Sequence, residues 1–81
     1  MKRIIASAYV ISYNVDIEYA DGEYDSDVSD NVYNAEGYVN DCIEYGESNN
    51  NPVVYYRIVK NESNGGIAVS EEVIKEEELD Y

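Results

Sequence analysis

Nearly every side chain in this sequence that could do chemistry is a carboxylate or a tyrosine: eighteen Asp and Glu, ten Tyr, one Cys and no His. Without imidazole, and with Cys42 alone, hydrolytic triads and zinc sites have no ligands to build from. No Walker-type loop or nucleophile elbow is present, and Gly65-Gly66 reads as a turn. Paired carboxylates work as acid and base only where a concave site drives their pKa values apart. A chain of 81 residues buries only about 60% of its unfolded surface and leaves little room for such a site. The expectation is a non-catalytic protein.

One spacing matches a cation site in part. "DSDVSDNVYNAE" sets Asp25, Asp27, Ser29 and Glu36 at positions 1, 3, 5 and 12 of a calcium loop. Position 6 is Asp30, where that loop needs Gly, and a strand is expected in place of the entering helix. In a chain this acidic such spacings arise by chance, so neither metal nor cofactor is expected.

Charge is the dominant signal. Five bases leave a net −13, and no Lys or Arg occurs between Ile4 and Tyr56. Self-repulsion of this size opposes compaction, and it argues against binding nucleic acid directly or docking on an anionic membrane. It points to basic partners. The lone Cys excludes an internal disulfide and suits a reducing cytoplasm. No signal peptide is evident in "MKRIIASAYVISYNVDIEY", and no stretch approaches the roughly 20 apolar residues of a membrane span.

The elements that must position these acids follow from periodicity. Odd residues from Ile5 to Tyr19 are mostly apolar or aromatic, the period-2 signature of a strand with one buried face. A strand this long is expected to bend near residues 12–14. Asp21-Gly22 fits a two-residue hairpin turn. Pairing outward from it sets Tyr19 opposite Tyr24, Glu18 opposite Asp25 and Asp16 opposite Asp27. Asp16, Glu18, Asp25 and Asp27 would then form a square of carboxylates on one face, where opposed like charges destabilise the pair.

A helix is expected next, with Ser29 or Asp30 as N-cap and Gly46 as left-handed C-cap. Val32, Ala35, Val39, Cys42 and Ile43 would make its apolar face, and Glu36, Asn40, Asp41, Glu44 and Glu47 its acidic one. "VVYYRIVK" and "IAVS" read as a second hairpin around "NESNGG". Residues 71–81 stay open between a last strand, a short helix begun at Ser70 and a frayed acidic tail. The order ββαββ implies an α+β fold in one domain, a small antiparallel sheet with one helix packed on a face.

Acidic runs usually form nothing more than a solvated surface. Here they occupy both hairpin and helix, bases are missing over fifty residues, and tyrosines are interleaved. Carboxylates about 6.6 Å apart along a strand make an array like the phosphates of nucleic acid. Tyr rings offer flat surfaces to a partner's Arg. The "DIEYADGEYDSD" hairpin, the acidic helix face and the ββαββ body resemble, in size, charge and residue style, the DNA-mimic inhibitors of phages and mobile elements, notably anti-CRISPR and anti-restriction proteins. No family motif is matched. The resemblance implies a protein that occupies the basic nucleic-acid groove of a bacterial host's defence nuclease, a CRISPR effector before a restriction enzyme or repair glycosylase. The expected contact residues are Asp16, Glu18, Asp25, Asp27, Asp30, Glu36, Asp41, Glu44, Tyr24 and Tyr38. The competing reading is a structural or adaptor protein whose charge only keeps it soluble. A cation-binding module comes third, and the oligomeric state stays open.

Overall fold

Alternation builds the central strand. In the computed structural model, which describes residues 9–79, β1 (Tyr9–Tyr19) buries Val15, Ile17 and Tyr19 while the residues between them stay partly exposed. The other elements are β2 (Tyr24–Ser29), α1 (Val32–Ser48), β3 (Val53–Asn64) and β4 (Ile67–Glu78). The four strands form one antiparallel sheet in the order β2-β1-β3-β4, with α1 across one face, so the ββαββ order and the α+β class hold. The core is thin. Val15, Ile17, Tyr19, Val53, Tyr56 and Ile58 of the sheet meet Ala35, Val39 and Cys42 of the helix.

The expected break near residues 12–14 does not occur. β1 pairs with β3 without interruption from Tyr9 to Glu18, because β3 is just as long and supports residues 9–14 after β2 has ended opposite Tyr13. Ile5 and Ser7 of the expected strand lie outside the described residues. The result is a rod of 60 × 18 × 17 Å, covered by the helix over only part of its length.

The first hairpin is slipped by one residue from the expected register. Glu18 faces Tyr24, Ile17 faces Asp25 and Val15 faces Asp27. The turn holds three residues: Gly22 N–H donates to Tyr19 O at 2.9 Å, Tyr19 N–H donates to Glu23 O at 2.9 Å, and Gly22 takes φ +91°. This is a type I turn closed by a glycine bulge, the next most common hairpin after the two-residue form. Asp21 Oδ1 fixes it by accepting from Glu23 N–H at 2.9 Å. A one-residue slip moves every side chain of a strand to the other face. Asp25 and Asp27 therefore share the helix face with Ile17, whereas Asp16 and Glu18 lie on the opposite face. The square of carboxylates is not formed, and the repulsion it would have carried is avoided.

The helix begins and ends later than its sequence suggests. Asn31 is the N-cap, accepting from Asn34 N–H at 2.8 Å, while Asp30 accepts from the Asn31 amide. At the other end Asn51 N–H reaches Gly46 O and Asn50 N–H reaches Glu47 O, with Asn50 at φ +58°. That is a Schellman closure using Asn in place of Gly. Gly46 serves packing instead: a Cβ there would stand 2.6 Å from Asn51 O. Residues 71–78 complete β4, so this part of the tail is a strand, while residues 80–81 lie outside the described residues, and every β4 residue is exposed at the sheet edge.

Candidate binding surface

Acids without bases need other partners, and here tyrosine hydroxyls supply them. Tyr19 Oη donates to Asp25 Oδ2 at 2.8 Å and Tyr56 Oη to Glu77 Oε1 at 2.8 Å. Tyr9 bonds Glu62, and Tyr55 bonds Glu76. Burial, then the neighbouring Cys42 and Asp25, push the Tyr19 hydroxyl far above the usual tyrosine range. Tyr38 is pushed up in the same way, by burial first and Cys42 next. These hydroxyls stay protonated donors at any physiological pH.

The three described bases are occupied within the fold. Arg57 Nη2 stands 3.3 Å from Asp16 Oδ2, and that bond holds the guanidinium above its ordinary pKa. Lys60 Nζ lies 3.6 Å from Glu62 Oε2. Lys75 sits 5.8 Å from the Tyr56 ring centre and is pushed up chiefly by its hydrogen bond to that hydroxyl.

An open groove of about 940 Å³ lies between the end of β2, the first half of α1 and the free edge of β1 at Val10, Ile11 and Ser12. Asp27, Asp30, Glu36 and Asp41 line it, with Tyr33 and Tyr38. Asp25 adjoins it beside Tyr38 and Asp41 in a smaller depression over Tyr19 and Cys42. Six of the ten expected contact residues thus fall around one end of the helix and the flank of β2. The other four are dispersed. Asp16, Glu18 and Tyr24 occupy the opposite sheet face, where Asp16 is paired with Arg57. Glu44 lies on the outer side of the helix, facing away from Cys42.

The calcium-like spacing does not assemble. Asp25, Asp27 and Ser29 lie along a strand, Glu36 is on the helix near Lys75 and Tyr56, and among the described residues no three His, Cys, Asp or Glu stand close enough to hold a metal. No helix among the described residues is long and apolar enough to cross a membrane. The groove floor was missed from sequence. Its available signal was the absence of charge from Ile4 to Val15, a break in an otherwise acidic chain. Comparison with protein-family models, with curated proteins and with solved structures found no match.

Proposed function

We propose that this chain is a non-catalytic nucleic-acid mimic that binds the basic groove of a bacterial host's nucleic-acid-binding protein, with a CRISPR effector the preferred target. The observation that carries the reading is the shape of its charge. A net −13 along a rod 60 Å long is about one charge per 5 Å, against about one per 3.4 Å on a nucleic-acid strand. Of the described bases, Arg57 and Lys60 are engaged away from the groove, and Lys75, over the Tyr56 ring, lies near Glu36 at its margin. A surface of this kind draws a positively charged cleft quickly and with strong salt dependence.

The alternative is a structural or adaptor protein with solvated charge. The tyrosine–carboxylate bonds favour it to the extent that they turn Asp25, Glu62, Glu76 and Glu77 to structural use. The test begins with capture from nuclease-treated bacterial lysate at low salt and is decided on the captured protein. Nucleic acid and this chain should exclude each other from it. A stable ternary complex at unchanged affinity rules out mimicry.

A further inference from the structure

β2 stops at Ser29, opposite Tyr13, but β1 continues to Tyr9. Over residues 9–12 β1 is paired with β3 on one side, and no described strand pairs with its other side. The backbone direction at that edge follows from the hairpin. Tyr19 N–H points at β2, donating to Glu23 O, and successive hydrogen-bonded pairs recur every second residue in an antiparallel ladder. Ile17, Val15 and Tyr13 therefore face β2, and Ile11 and Tyr9 present N–H and C=O to the space beyond Ser29. That space is the groove.

Among the described residues nothing protects this edge in the usual ways. Exposed strand edges are normally blunted by charge, proline, a bulge or a covering element. Residues 9–14 carry no charge and no proline, and the irregularity in the β1–β3 pairing, at Glu18/Tyr19 opposite Val53–Tyr55, is far from this end. Val10 and Ile11 are exposed. The walls, by contrast, carry Asp27, Asp30, Glu36 and Asp41.

We infer that the groove binds an extended cationic peptide segment of a partner protein, which adds as a strand to the open edge of β1 and continues the row of β2. Such addition takes its affinity from main-chain bonds and its specificity from alternate side chains. Residues of the guest opposite Ile11 and Tyr9 would point to the helix face, toward the acidic walls. Those opposite Ser12 and Val10 would point to the open face beside Val28. The fitting sequence alternates Lys or Arg with β-branched residues. A second copy of this chain fits less well, since its described open strand edges are uncharged, as at residues 9–12 of β1 and Ile67–Ser70 of β4, or acidic, as along β2 and the rest of β4, and bring few cations to the acidic walls. The inference stands apart from nucleic-acid mimicry, because it concerns a peptide and needs no nucleic-acid-binding fold in the partner.

The probe is an acetylated, amidated Arg-Val-Arg-Val-Arg-Val peptide titrated into the full chain labelled with nitrogen-15. Saturable shifts and slowed amide exchange are expected at Tyr9 and Ile11. N-methylating the arginine nitrogens, which would face β1, should weaken binding at least about tenfold, because two or more backbone bonds are lost at constant charge. N-methylating the valine nitrogens, which would face away, should change it little. Equal binding of both methylated peptides would reduce the contact to charge attraction and overturn strand addition. Absence of exchange protection at Ile11 would do the same. Protection at Tyr9 and Ile11 without peptide, together with a doubled mass in solution, would assign the edge to a second copy.

Discussion

The Tyr19 hydroxyl donates to Asp25 at 2.8 Å across the first hairpin, a contact open to it only in the slipped register that puts both side chains on the helix face. Tyr19 is 4% exposed, and its ring meets the Tyr45 ring edge-on at 6.5 Å. The bond therefore ties the core to the first acidic residue of β2's helix face. Tyr19→Phe keeps the ring and removes the donor, at an expected cost of about 1.5–3 kcal/mol for a bond to a charged acceptor. Urea unfolding with an unchanged slope measures it. An unmoved midpoint would mean that Asp25 turns to solvent.

Tyrosine bonding makes alkaline pH the weak side of the fold. Burial, the leading cause, raises Tyr19, Tyr38 and Tyr56, and the Glu76 bond raises Tyr55. A group whose folded pKa lies above its unfolded value stabilises fully below the unfolded value and loses that contribution as pH climbs through the folded one. The window opens near pH 10, the ordinary tyrosine value, and extends upward. Denaturant midpoints should be flat in pH from neutral to about 9 and fall beyond 10. Tyrosinate absorbance should show these four residues titrating above the ordinary tyrosine value.

Two helical glycines should respond to alanine in opposite directions. At Gly46 a new Cβ meets the Asn51 carbonyl at 2.6 Å and the Tyr19 ring at 3.3 Å, so the Schellman turn must shift, at an expected 1–3 kcal/mol, about the cost of overpacking. At Gly37 nothing lies within 4 Å, and Gly37→Ala should gain roughly 0.5–1 kcal/mol from helix propensity. Thermal unfolding of the two variants checks the pair.

The strand pattern, the helix and their order were legible because each rests on a local period: alternation from Tyr9 to Tyr19, and 3.6-residue spacing of Ala35, Val39 and Cys42. What local pattern could not decide was register. Asp21-Gly22 suits both a two-residue turn and the second and third positions of a three-residue one, and the choice depends on Asp21 capturing Glu23 N–H and Tyr19 reaching Asp25. The helix termini shifted for the same reason, since Ser29 was claimed by pairing with Tyr13 before it could cap. The acids of α1 and the end of β2 could be singled out by their charge, but their meeting around one groove depends on tertiary packing.

Asp16 and Asp27, once expected side by side, should now behave differently. Asp16 holds Arg57, and both side chains are about half exposed, so the pair's net worth is small but favourable. Asp16→Asn should lower the thermal midpoint slightly and leave Arg57 unpaired. Asp27 lines an acidic groove with no base opposite it, and Asp27→Asn should raise the midpoint through reduced repulsion. If both substitutions shift it the same way, the two faces are not electrostatically distinct.

The last expectation separates charge from anchoring in partner binding. Tyr24 and Tyr38 were the aromatic candidates, but Tyr38 is partly buried against the core and its hydroxyl donates to Ser26 O at 3.3 Å. Tyr38→Ala should therefore cost stability before it costs affinity. Tyr24 remains free at 73% exposure but lies on the face away from the groove. Tyr33, 82% exposed at the groove wall, is the better placed anchor. Its truncation to Ala should leave unfolding unchanged and weaken partner binding by at least about 2 kcal/mol, as central aromatic residues do at interfaces. The two kinds of contact differ in salt. Replacing Asp27, Asp30 and Asp41 by Asn should flatten the decline of affinity with ionic strength, since each removes an ion pair that salt screens. Tyr33→Ala should shift affinity by the same factor at every salt concentration and leave the slope intact. Titrations of both variants across ionic strength would show it, and a slope unmoved by the three Asn substitutions would remove the groove acids from the interface.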